Sequence, residues 1–155
     1  MIRRIRDVFL VGIFFLTLAP VVFAAESVAT LMVKIDQSIK NQFSGWQIDR
    51  KEGNSDSRTY AMHLGKESVT IYFKVLKSMS KAYEEIHRAQ ARVAMSPVNY
   101  FEEASMRGEG LLYGPEPQTG ATMVLACKSN VFFQINGSLF KTTDQFLQTI
   151  LKLIQ

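Results

Sequence analysis

Residues 68–76, SVTIYFKVL, alternate without a break: Val69, Ile71, Phe73 and Val75 fall on one side, Thr70, Tyr72 and Lys74 on the other. Successive side chains of a strand point to opposite faces, so this pattern predicts a strand with one face on a core. RTYAMHL (58–64) repeats it with Tyr60, Met62 and Leu64, and GKE (65–67) is short enough to close the two into a hairpin. TMVLACK (122–128) and NVFFQING (130–137) form a second such pair, closed by KSN. Two weaker strands are read at 45–49, with Trp46 and Ile48, and at 107–113, while KEGNSDS (51–57) reads as a polar turn.

Three segments have a helical period instead. Residues 27–43 place Val28, Leu31, Met32, Ile35, Ile39 and Phe43 in one stripe. Residues 80–95 form the second, with Ser80 as N-cap, Tyr83, Ile86, Gln90 and Val93 on one side, Lys81, Glu85, Arg88 and Arg92 on the other, and Pro97 as the stop. The third, 143–154, opens on a Thr142–Gln145 capping box and presents Phe146, Leu147, Ile150, Leu151 and Ile154. The order is α-βββ-α-βββ-α, which predicts an α+β fold with a largely antiparallel sheet of about six strands packed against helices. The two halves share an element order but no matching residues, and no family motif stands out.

The first 24 residues have a different logic. Arg3, Arg4 and Arg6 precede the apolar run 8–19, Pro20 breaks it, and Val22 and Ala24 occupy the −3 and −1 positions of a small-residue cleavage site. That layout predicts a secretory signal peptide over 1–24 and one α+β domain over 25–155, exported to the periplasm or beyond. The alternative is an uncleaved amino-terminal anchor, although the run is short and interrupted beside the ~20 apolar residues of a spanning helix. No cysteine lies near the cleavage point, which argues against a lipid-modified terminus. Without this segment the charge falls from +4 to +2, so half of the basicity belongs to the export signal. No cluster of Lys and Arg with interleaved aromatics survives, and a nucleic-acid partner is not expected. Nor is a membrane span expected after cleavage.

Cys127 is the sole cysteine, so no intrachain disulfide can form and packing must hold the domain. Its phase with Met123 and Leu125 predicts burial, which weighs against pairing with His63 or His87 as nucleophile and base. The two histidines are 24 residues apart, and no clustered His, Cys, Asp or Glu suggests a metal. The glycine-rich stretch RGEGLLYGPEPQTG (107–120) fails as a phosphate cradle. Its third glycine is one residue late, Pro115 and Pro117 follow, no helix pattern begins there, and Glu109 and Glu116 would repel an anion. Gly108 and Gly110 read instead as a bulge or strand end, and Gly114–Gly120 as a loop. Glu84–Arg88 and Lys81–Glu85 read as ion pairs on a solvated helix face. Asn136-Gly-Ser matches a glycosylation sequon, of consequence only where exported chains are glycosylated.

No cofactor is expected and no catalytic group is assembled in the sequence. The chain is expected to be a non-enzymatic binding or accessory module of the cell envelope, engaging a protein or small molecule. The alternative is a small exported hydrolase or transferase with dispersed residues. The candidate binding surface is the sheet face opposite the apolar one, carrying Tyr72, Lys74, Phe132 and Gln134, with His63 nearby. The alternative is that one of the three helices crosses that face and makes Tyr72 and Phe132 second-layer core, the first being the candidate because its apolar stripe must be buried somewhere.

Overall fold

A computed structural model describes residues 27–92, 101–102, 110–115 and 121–154. The elements are α1 (Val28–Gln42), β1 (Gln47–Gly53), β2 (Ser57–Leu64), β3 (Glu67–Val75), α2 (Met79–Arg92), β4 (Phe101–Glu102), β5 (Gly110–Pro115), β6 (Thr122–Lys128), β7 (Val131–Gly137) and α3 (Phe140–Leu153). All strands join one antiparallel sheet in the order β1-β2-β3-β7-β6-β5-β4. The α+β architecture is the one that the periodicity predicts. Five long strands, β1, β2, β3, β7 and β6, dominate it, while β5 and the two-residue β4 extend the far edge. Residues 1–26, with the expected signal segment, lie outside the described residues, as do Pro97 and most of the glycine-rich stretch.

Two tight turns set the register. Gly65 adopts φ 59° between Leu64 and its partner Glu67, a left-handed conformation that costs glycine nothing. Ser129 takes φ 53° between Lys128 and Val131. Beside it, Asn130 is buried and donates from Nδ2 to the Leu76 carbonyl at 3.0 Å, while the Leu76 N–H donates to the Asn130 carbonyl at 2.8 Å. That exchange ties the β6–β7 turn to the end of β3. Phe73 then lies opposite Phe133, and Ile71 opposite Ile135.

The alternation sorts side chains onto two faces. One carries Tyr60, Met62, Val69, Ile71, Phe73, Val124, Ala126, Phe133 and Ile135, all buried beneath α1 and α3. Ser27 caps α1 by accepting the Thr30 N–H at 3.1 Å, and the helix buries Val28, Leu31, Ile35 and Ile39 at helical spacing. α3 contributes Phe146, Leu147 and Ile150. Tyr60 sits within this core yet keeps its hydroxyl paired, donating to Asp36 Oδ1 at 3.0 Å.

The second face is crossed by α2, which packs on β6 and β7, and not by α1. α1 already shares the first face with α3. The buried residues of α2 are Ala82, Glu85, Ile86 and Ala89, against Met123, Leu125, Cys127 and Phe132. This face is rotated from the one expected: Tyr83 is exposed and Glu85 points inward. Two alanines let the helix approach the sheet closely, an advantage that a reading weighted by side-chain size overlooks. Glu85 meets Arg92 at 3.0 Å and Arg88 at 3.6 Å instead of Lys81, whose ammonium bonds Glu84 at 2.8 Å. The expected Glu84–Arg88 pair is present at 3.4 Å.

Three local expectations are revised. Ser78, not Ser80, accepts a free N–H in the first turn of α2, from Lys81 at 3.3 Å. α3 begins at Phe140 behind Leu139, which makes no side-chain cap bond, so the Thr142–Gln145 box does not form. Thr142 instead donates to Glu67 Oε2 at 2.7 Å, fastening α3 to the β2–β3 turn. β1 continues through Arg50, Lys51 and Glu52 to Gly53, across residues that read as a turn. As an edge strand exposed throughout, it needs no apolar alternation.

Candidate functional site

α2 covers only the β6–β7 half of the second face, and among the described residues no other helix crosses the β1–β2–β3 half. Thr59, Ala61 and His63 of β2 and Thr70, Tyr72 and Lys74 of β3 point there and are all partly exposed. Gln134 and Asn136 of β7 continue the surface to the flank of α2, and the Gln134 amide donates to Asn136 Oδ1 at 3.3 Å. Cross-strand pairing fixes the rows. Tyr72 lies between Thr59 and Gln134, and Thr70 between Ala61 and Asn136.

Four of the five residues expected on the binding surface, Tyr72, Lys74, Gln134 and His63, therefore share one accessible face. Phe132 does not belong to it as a surface group. It is fully buried beneath α2, meeting Tyr72 edge to face at 6.2 Å. Phe132 is paired with Lys74 across β3–β7 but falls on the α2 side of the boundary, where the helix seals it. Tyr72 is the boundary residue, packed against the α2 core on one side and partly exposed on the other. Thr59, Thr70 and Asn136 complete the face. Strand alternation already placed them there, but as small polar residues they carried no signal of their own.

The strip has ends of different character. His63 Nδ1 lies 2.8 Å from both carboxylate oxygens of Asp49, a residue at the bulge where β1 slips against β2. Lys74 lies at the other end, in the row of Ser57. From His63 to Thr59, the partner of Tyr72, are four residues of extended chain, or about 13 Å. The groups thus line up rather than converge.

Asp49 gives His63 the orienting carboxylate that a general base requires. Ser68 stands opposite His63 in register, yet its hydroxyl makes no hydrogen bond to the imidazole among the described residues. Cys127 lies three strands across the sheet and, in the row of Ser57, six residues further along it than His63, and is buried beneath α2. His87 is exposed on α2, edge-on to Tyr83 at 5.2 Å. Among the described residues no three His, Cys, Asp or Glu side chains come together in a metal-binding group, and no helix is long and apolar enough to cross a membrane. The open face offers hydroxyls, amides, an imidazole and an ammonium around the Tyr72 ring, with the Arg50 guanidinium and the Asp49 and Glu52 carboxylates along β1, which suits it to surface recognition. Comparison with protein families, with characterised proteins and with solved structures finds no match to this chain.

Proposed function

We propose that the protein is an exported, non-enzymatic binding or accessory module of the cell envelope, and that it engages a partner through the open half of its sheet. The observation that carries this reading is the incomplete cover of the second face. α2 seals Phe132 but leaves Tyr72, Lys74, Gln134 and His63 accessible on a rigid, hydrogen-bonded platform. A half-exposed tyrosine among polar neighbours, framed by rigid strands, has the composition of a recognition surface, where Tyr is enriched. Arg3, Arg4 and Arg6, the apolar run 8–19 and the small residues at 22 and 24 support export with cleavage after Ala24. Binding is preferred to hydrolysis because, among the described residues, no nucleophile is hydrogen-bonded to the His63–Asp49 pair.

Both halves of the reading are testable in producing cells. Mass spectrometry of the exported protein should find Ala25 as the amino terminus. Full-length chain retained in the membrane fraction would favour the anchored alternative. A photoreactive residue at position 74 should cross-link to a discrete partner, and Tyr72→Ala should abolish that product without lowering the yield of folded protein. Equal cross-linking from Val33, exposed on α1, would show that the sheet face is not special.

A further inference from the structure

Where α1 runs out, a groove of about 470 Å³ opens between its last residues and one side of α3. That is within the ~300–1,000 Å³ typical of small-ligand sites. Gln145, Gln148, Thr149 and Lys152 recur at i, i+3, i+4 and i+7 and form its α3 wall, with Gln42 and Ser44 facing them. One carboxylate, Asp144, offsets the ammonium of Lys152, so the lining is neutral overall. Its apolar surface comes from Phe43 and Trp46.

Trp46 is fixed as a platform. Gly45 takes φ 91°, turning the chain so that the Trp46 N–H donates to the Phe43 carbonyl at 3.1 Å. The indole meets Phe146 edge-on at 5.1 Å, and Phe43 stacks flat on the same Phe146 ring at 3.8 Å. Phe146 is fully buried, whereas Trp46 is only partly so, which leaves part of the indole open to the groove. Two hydrogen bonds beside it are long. Thr149 donates to Gln42 Oε1 at 3.4 Å and Gln148 Nε2 to Asp144 at 3.5 Å, the outer limit of a hydrogen bond. A ligand offering better geometry would displace both.

This combination narrows the ligand. An acyl chain would desolvate the amides without pairing them, which is costly. An anion would find one lysine offset by one aspartate. A pyranose ring satisfies every element: its C–H face is electropositive and lies against the negative face of the indole, and its hydroxyls both donate and accept, matching primary amides that do the same. We propose that the groove binds a neutral saccharide, one or two rings of a glycan chain. The site is separate from the open sheet face, and the proposal does not depend on that reading.

Trp46 is the only tryptophan in the chain, so its fluorescence reports this groove alone. The full-length protein, kept in a zwitterionic detergent without a sugar headgroup, is titrated with maltotriose, cellotriose and triacetylchitotriose. At least one should give a saturable change in Trp46 emission with a Kd in the micromolar-to-millimolar range, up to about 1 mM. Gln145 and Gln148 are exposed, so Gln145→Ala with Gln148→Ala should keep the wild-type circular dichroism and Tm while weakening that saccharide at least about tenfold. Absence of a response to all three sugars overturns the proposal, and so does a response that the double variant retains in full. Saturable binding of decanoate or sulfate in place of the sugars overturns it in favour of acyl or anion recognition.

Discussion

Gly137 and Thr143 meet so closely that a Cβ built on the glycine would overlap the threonine hydroxyl. Thr143 is fully buried and its hydroxyl donates to the Leu139 carbonyl at 2.8 Å, so it cannot swing aside without losing that bond. The contact sets how near α3 lies to β7. It makes the glycine a packing requirement rather than a turn requirement.

Gly137→Ala should therefore destabilise the protein by about 1–3 kcal/mol, as overpacking does in well-packed cores. Adding Thr143→Ala removes the overlapping oxygen, and the pair should cost less than the sum of the two single changes. Strict additivity in thermal or denaturant unfolding would contradict a direct clash.

Phe132 and Tyr72 touch, yet they should separate under substitution. Phe132→Ala opens a cavity beneath α2 and should cost about 3–5 kcal/mol. Tyr72→Ala gives up less burial and should cost less than half of that. Equal losses in urea unfolding would mean that Tyr72 is core and would remove the central residue of the proposed binding face.

Cys127 lies with Met123, Leu125 and Phe132 beneath Ala82, Ile86 and Ala89. Cys127→Ser places a hydroxyl in apolar surroundings and should cost about 1–3 kcal/mol. A charged alkylating reagent should modify the native thiol only as fast as the protein opens. Rapid labelling under native conditions would contradict its burial.

Tyr60 supplies a pH signature. Burial first, and then its hydrogen bond to the Asp36 carboxylate, push the phenol well above its ordinary range. Below the ordinary value of about 10, folded and unfolded chains both keep the proton, and stability does not depend on it. Above that value the unfolded chain loses the proton while the folded one holds it, so stability falls with rising pH until the folded group also ionises. Tyr60→Phe should flatten this alkaline decline and cost about 1 kcal/mol at neutral pH for the lost hydrogen bond. An unchanged slope of Tm against pH between about 9.5 and 11 would exclude Tyr60 as its source.

The strands were legible from the alternation at 58–64 and 68–76 and from the apolar runs at 122–128 and 130–137, and the paired hairpins followed from the short loops between them. α1 was equally legible, because Leu31, Ile35 and Ile39 repeat at one spacing and Ser27 caps it. What could not be read was which helix lies on which face. Both faces of β6 and β7 carry large apolar groups, so periodicity offers two equivalent slots for three helices. Ala82 and Ala89 decide the matter by allowing close approach, and alanine registers weakly in any hydrophobic pattern. The open face was legible for Tyr72, Lys74, Gln134 and His63, and misread for Phe132, which the helix assignment controls. The groove at Trp46 was invisible for a related reason. Gln145, Gln148 and Thr149 are spaced at i, i+3 and i+4, but a polar stripe gains meaning only when the end of α1 is known to lie beside it.

The packing of α1 against α3 has a consequence for how the chain acquires its structure. Lys34 reaches the Leu153 carbonyl at 2.9 Å across 119 residues of sequence, and α1 buries Leu31, Ile35 and Ile39 in the same core as Phe146, Leu147 and Ile150 of α3. During synthesis the apolar stripe of α1 leaves the ribosome well before α3, the helix that completes its cover. Closing so long a loop is entropically costly and slow. The domain therefore closes only once α3 has emerged, with the 14 residues of that helix acting as the latch.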